Sequence, residues 1–205
     1  MAWKTIGQCA RRSLELDPHI TKLFKEQPLL RRLNQDALHS PKLRIVNADA
    51  FSWLEQDDGH YDAIVVDFPD PSNFSLGKLY TTSFYTLLDA HLRGSAYAVV
   101  QTTSPLLARK SFWTVVSTIE AAGLTATPYH AHVPSFGEWG FVIASRRPWA
   151  PPAALPAGLR FLGVEGLNAL FQFPPDMARV ATGVNRLSNQ VLVHTFEEEW
   201  GRAHE

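Results

Sequence analysis

Acidic side chains follow apolar runs at several points in the first half of the chain. Glu15 and Asp17 come after Leu14, Asp49 after Leu43–Val46, and Asp67 and Asp70 after Ala63–Val66, while the amide Gln101 closes Ala96–Val100. In open α/β sheets, ligands bind beyond the carboxyl ends of the strands, so such a sheet would gather these groups on one rim. A rim of carboxylates suits a cationic ligand. Glu15 is placed to accept from a ribose hydroxyl, and Asp49 from an exocyclic amine of a base. Asp67 and Asp70, in Asp67-Phe68-Pro69-Asp70-Pro71, would then face the reacting group. Taken singly, any one of these aspartates reads better as a helix N-cap or turn residue. Their recurrence at successive strand ends is what favours a site.

The elements that must position them alternate along the chain. Leu43–Asn47 reads as a strand and Phe51–Glu55 as helix, Ala63–Val66 as a compact buried strand, Thr82–Leu92 as a crossover helix, and Ala96–Val100 as a further strand. Phe112, Val115, Val116 and Ile119 recur at helical spacing, and that helix stops at Gly123. Thr125–Val133 and Trp139–Ser145 follow as two strands joined by Pro134-Ser135-Phe136-Gly137. This alternation implies a parallel sheet covered on both faces and finished by an antiparallel pair. Arg147–Pro152 reads as a stiff linker into a tail with a short helical pattern, Val164–Phe171, and a strand-like Val191-Leu192-Val193. The division expected is a main domain over 1–146 and a linker with an appendage packed on it over 147–205. Residues 1–13, with Lys4, Gln8, Arg11 and Arg12, read poorly as a strand.

Composition narrows the function classes. The 205 residues carry 19 basic and 20 acidic side chains, a net charge of -1, which gives no electrostatic reason to expect nucleic acid as a partner. Hydrophobic residues make up 45% and charged ones 19%, as in a globular chain. A lone cysteine, Cys9, makes neither an internal disulfide nor a multi-cysteine metal site, which points to a reducing compartment and a cytoplasmic location. No run approaches the ~18–20 apolar residues of a membrane helix. His130 and His132 alternate on an expected strand, and no histidine pair has the spacing of a zinc hydrolase, so surface or packing roles are assigned to them. Trp53 and Trp113 fall on expected buried helix faces.

The stretch Asp62–Pro71, followed by Leu79-Tyr80 and Phe84-Tyr85, resembles the spermidine synthases, the polyamine aminopropyltransferases. Glu15-Leu16-Asp17 and Ala48-Asp49-Ala50 lie where that family keeps its ribose-binding acid and its adenine-binding aspartate. Gln101 and Pro134–Phe141 also have counterparts. The tail, with Phe173–Met177 and Glu197–Trp200, is similar to bacterial members whose catalytic domain follows a membrane-spanning part. The resemblance implies a Rossmann-like, class I methyltransferase-like doubly wound sheet with a terminal antiparallel pair. It also implies aminopropyl transfer from decarboxylated S-adenosylmethionine, a co-substrate, to putrescine, giving spermidine and methylthioadenosine with no tightly bound cofactor. Asp67 would be the catalytic acid group and Asp70 a binder of the amine, with Tyr80 and Gln101 as acceptor-pocket contacts. Glu15 would hold the ribose, and Asp49 with Ala50 the adenine. The implied partners are a small cationic diamine and an adenosyl sulfonium; oligomeric state is left open, with a homodimer as the candidate assembly.

Two departures qualify these expectations. The family's first strand and glycine-rich turn should precede Glu15, yet only 14 residues do and Gly7 stands alone among them. The expectation is therefore an N-terminally truncated chain with its first βα unit missing, its parent membrane-attached. Phe136 stands where many soluble members have a tyrosine near the acceptor amine, which leaves agmatine, cadaverine or a longer polyamine open as acceptors. An S-adenosylmethionine-dependent methyltransferase, built on the same sheet and acids, and a non-catalytic remnant of a larger enzyme are the alternatives.

Overall fold

The computed structural model describes residues 11–160 and 162–203; Gly7 and Cys9 lie outside them. The chain forms two compact units, residues 1–57 and 58–205.

In the first unit, β1 (Arg11–Glu15) pairs in parallel with β2 (Leu43–Asn47), in register from Arg11 opposite Leu43 to Glu15 opposite Asn47. Two short helices connect them, α1 (Pro18–Glu26) and α2 (Pro28–Leu33), each opening on a proline whose fixed φ suits the first helical turn. After β2 comes α3 (Ala50–Gln56). Arg11–Ser13, which read poorly as strand from sequence, belong to β1, because backbone pairing with β2 outweighs the polarity of the side chains. Trp53 also departs from expectation. It is half-buried, with the Arg12 guanidinium 5.8 Å from its ring centroid and Arg12 bound to Asp57 at 2.6 Å.

The second unit is built on a four-stranded sheet in the order β3-β4-β6-β5. Its strands are β3 (Tyr61–Val66), β4 (Leu92–Gln101), β5 (Thr125–Val133) and β6 (Gly137–Ser145). β3 and β4 are parallel, and the crossover between them contains α4 (Phe74–Gly77), a 3-10 turn (Lys78–Tyr80) and α5 (Thr82–Ala90). β6 lies antiparallel to both β4 and β5, which confirms the expected terminal pair. The β5–β6 turn closes on Gly137 at φ +78°, a conformation that favours glycine. β3 is an edge strand of this sheet. Its Val65 is 69% exposed, so β3 is not the buried strand its apolar run implied.

The core lies between the sheet and α6 (Arg109–Ala121), whose Phe112, Val115, Val116 and Ile119 face Val100, Val142 and Ala144, all almost fully buried. Gly140 on β6 permits that approach: a Cβ there would overlap the Phe112 ring and stand 2.7 Å from the Thr103 carbonyl oxygen. Gly140→Ala is expected to cost about 1–3 kcal/mol through overpacking, measured by urea unfolding. The same substitution at Gly94, which has open space around it, serves as the control.

Beyond β6, α7 (Val164–Ala169) and α8 (Val191–Ala203) run along this unit. The strand-like Val191–Val193 is the first turn of α8. Leu192, Val193 and Phe196 are buried, a spacing that a helix face explains and a strand does not. Asn185, fully buried, donates through Nδ2 to the carbonyls of Gly77 and Tyr80, both at 3.1 Å. Its Oδ1 accepts from the Leu192 amide at 3.2 Å, and its own amide donates to Thr118 Oγ1 at 2.9 Å. His130 packs as expected, its ring bonded to the Glu138 carboxylate and, through Nε2, to the Gln172 carbonyl at 2.7 Å. Among the described residues no helix is long and apolar enough to cross a membrane.

Candidate active site

In the first unit, the carboxyl ends of β1 and β2 bring Glu15 together with Asp49 and Ala50. The Ala48 amide donates to the Glu15 carbonyl at 3.2 Å, so the chain leaves both strands at the same level. Glu15 Oε1 accepts from the Asp17 amide at 3.0 Å, and Asp17 in turn caps α1 by accepting from the His19 amide at 2.7 Å. Asp49 caps α3, its Oδ1 accepting from the Ser52 amide at 3.0 Å. Asp17 and Asp49 are thus helix caps by geometry. Ala50 opens α3 directly behind the Asp49 cap.

In the second unit, Val66 lies opposite Val100 in the parallel pair, so Asp67 and Gln101 emerge side by side at the carboxyl ends of β3 and β4. Gln101 also pairs with Phe141 on antiparallel β6, whose amino end therefore joins the same rim. Asp67 is exposed and Asp70 half-buried. Between them, Phe68 packs edge-on against Tyr80 and Phe84, with ring centroids 6.3 and 5.4 Å apart. This anchors the middle of the loop in the core and turns its two aspartates outward. Tyr80 Oη reinforces the loop by donating to the carbonyls of Pro69 at 3.0 Å and Phe68 at 3.3 Å. Burial above all, then the fields of Asp70 and Asp67, pushes the Tyr80 phenol far above its usual range, so it remains a donor. Burial likewise pushes the Asp70 carboxyl up.

A cleft of about 340 Å³ opens at this rim, lined by Asp70, Gln101 and a set of aromatic rings. Phe136 and Trp139 form one wall with ring centroids 5.3 Å apart, and Trp200 of α8 contributes another part. Sequence reasoning placed Asp70 and Gln101 here but missed Trp200. Its position is explained by the start of α6, where Ala108 occupies the N-cap position without a capping side chain. Glu199 of α8 fills that role, accepting from the Lys110 and Ser111 amides at 2.7 and 2.8 Å, and so brings its neighbour Trp200 to the cleft. Chemically, the cleft offers a carboxylate for an ammonium, ring faces for methylenes and cations, and a second carboxylate at the adjoining strand end.

Strands joined in parallel, a closing antiparallel strand and acids beyond the carboxyl ends define a methyltransferase-like α/β protein. Solved structures agree. Spermidine synthase from Thermotoga maritima aligns over 80% of this chain and 57% of its own, with a TM-score of 0.66 at 19% identity. A spermidine synthase in complex with the transition state analogue AdoDATO aligns over 80% and 58%, with a TM-score of 0.66 at 21% identity. Residues 11–150 match the spermine/spermidine synthase domain. A polyamine aminopropyltransferase of Leptospira interrogans is 46% identical over 189 residues, 92% of this chain, and one from Streptomyces coelicolor is 41% identical over 190, or 91%. The chain belongs to the spermine/spermidine synthase family. It spans 38% of the Leptospira protein and 36% of the Streptomyces one.

Proposed function

We propose that this chain carries the reaction centre of a polyamine aminopropyltransferase. An aminopropyl group passes from decarboxylated S-adenosylmethionine to putrescine, yielding spermidine and methylthioadenosine. The observation that carries the reading is the Asp67–Asp70 loop, anchored through Phe68 and Tyr80 at a strand-end rim beside an aromatic cleft. The family membership of the chain supports it.

In this mechanism Asp70 holds one ammonium of the diamine in the cleft, leaving the other amine to react. That amine attacks the propyl carbon next to the sulfonium. A nitrogen–carbon bond forms, the carbon–sulfur bond breaks, and its electron pair neutralises the sulfur as methylthioadenosine leaves. The Asp67 carboxylate takes the proton that the nitrogen sheds. Since the departing sulfur is neutral, no acid is required to assist it. Glu15 is assigned the ribose, Asp49 and Ala50 the adenine, and Gln101 an acceptor-pocket contact. Tyr80 is assigned to hold the loop from beneath, with its hydroxyl on the Pro69 carbonyl. Reaction in the reducing cytoplasm fits a chain with one cysteine.

The test is product analysis with putrescine and either decarboxylated or intact S-adenosylmethionine. Methylthioadenosine and spermidine from the decarboxylated donor are expected; methyl transfer from the intact donor would refute the reading. A pH prediction follows from Asp70. The carboxylate form binds the ammonium, and burial raises its pKa, so affinity for the diamine is lost as pH falls, starting above the ordinary carboxylate range. The acidic limb of kcat/KM for the diamine should therefore begin above that range and change in Asp70→Asn, the Asp67 base alone then shaping it. An unchanged limb in that variant would remove Asp70 from the role.

A further inference from the structure

We propose that Trp200 is a specificity-determining residue of the acceptor cleft, and that α8 brings it there as a wall against which the non-reacting length of the diamine lies. The inference rests on the aminopropyl-transfer reading and extends it from the sheet rim to a helix outside the Rossmann-like core. Nothing in the strand-end pattern foretells it, since Trp200 follows Gln101 by 99 residues (200 less 101).

Three observations carry it. First, Trp200 lines the same cleft as Asp70, Gln101, Phe136 and Trp139. Second, its position is fixed on both sides. The Glu199 carboxylate accepts from the Lys110 and Ser111 amides at 2.7 and 2.8 Å and from Ser111 Oγ at 2.7 Å. On the other side the Phe196 ring packs 5.7 Å from the Trp200 ring, while Leu192 and Val193 bury the preceding turn. Third, the chemistry is complementary. A diamine presents methylenes between two ammonium groups; indole faces take both, while the Asp70 carboxylate fixes one end. Phe136 offers a ring face without a hydroxyl, so that side chain makes no hydrogen bond to the amine. Selection by length then falls to the aromatic surfaces, and Trp200 sets how much straight chain fits.

The experiment compares the full chain with Trp200→Ala, Trp200→Phe and Trp200→Leu, using putrescine and cadaverine as acceptors. Trp200→Ala is expected to raise the KM for putrescine about tenfold. It should leave kcat and the KM for decarboxylated S-adenosylmethionine within about twofold and flatten the preference between the two diamines. Trp200→Phe should restore most of the affinity. Trp200→Leu keeps apolar bulk without a ring face and should behave as the alanine variant does, which preserves the test where alanine fails to fold. An unchanged diamine KM and preference, or an equal loss toward both substrates, would overturn the proposal. Putrescine binding by calorimetry separates this inference from the reaction it rests on. Binding by the unmodified chain that weakens in Trp200→Leu, with no turnover in either, upholds the cleft and refutes the reaction. No binding by the unmodified chain overturns the cleft as well.

Discussion

Asp67→Asn is expected to slow methylthioadenosine release by about 10²–10⁴-fold, the usual worth of a positioned general base, while leaving the fold intact. The acceptor arrives as an ammonium with a pKa near that of lysine, so exposing its lone pair at neutral pH costs about 4–5 kcal/mol. A carboxylate beside the nitrogen stabilises the charged ground state, so its benefit comes as the bond forms and the nitrogen turns acidic. Asparagine has the same shape but cannot take a proton. Asp67 is exposed at the end of β3, so the exchange disturbs no packing. The variant's residual rate should therefore climb steeply with pH, tracking the free amine. A variant with near-normal rate and an unchanged pH profile would exclude Asp67 as the base.

The second large effect concerns stability. Asn185→Ala is expected to destabilise the second unit by about 3–4 kcal/mol, because it strands the Gly77 and Tyr80 carbonyls and the Leu192 amide without their partner in a fully buried place. In a thermal melt this is a shift of roughly 10 °C. Asn185→Asp preserves the shape but turns a carboxylate oxygen toward those two carbonyls, and should be at least as damaging. A loss below about 1 kcal/mol in either variant would contradict this account. The site feels the change too, since the Tyr80 carbonyl held by Asn185 and the Tyr80 hydroxyl holding Pro69 belong to one residue. Weakening the tail should loosen the Asp67–Asp70 loop.

These cases mark what was legible in the sequence. The strand-end acids could be read because a parallel sheet delivers the residue after each apolar run to one rim, and Asp67 and Gln101 do stand at adjoining strand ends. The spacing from Phe112 to Ile119 gave α6 because burial against a sheet leaves a helical period. Val191–Val193 misled because three β-branched or aliphatic residues in a row fit either period, and only the contacts of Leu192, Val193 and Phe196 choose the helix. Asn185 left no trace, since its role depends on carbonyls contributed by another part of the chain. Trp200 was hidden for the same reason: Glu199 caps a helix that begins 90 residues earlier (199 less 109). Tyr80, expected as an acceptor-pocket contact, also holds the Pro69 carbonyl with its hydroxyl, an arrangement no spacing rule encodes.

The reach of Asn185 also bears on the order in which the second unit acquires its structure. Its side chain closes bonds to residues 105 and 108 positions earlier. Contacts that distant are slow to form, because the intervening loop must be ordered first. During synthesis, the sheet and α6 emerge well before Asn185, Leu192 and Phe196 can join them. A nascent chain lacking those residues holds open carbonyls at Gly77 and Tyr80 and an uncapped α6, a state prone to misassociation. The last buried contacts of this unit thus join the support beneath Tyr80, whose hydroxyl holds the Pro69 carbonyl of the loop, late in synthesis.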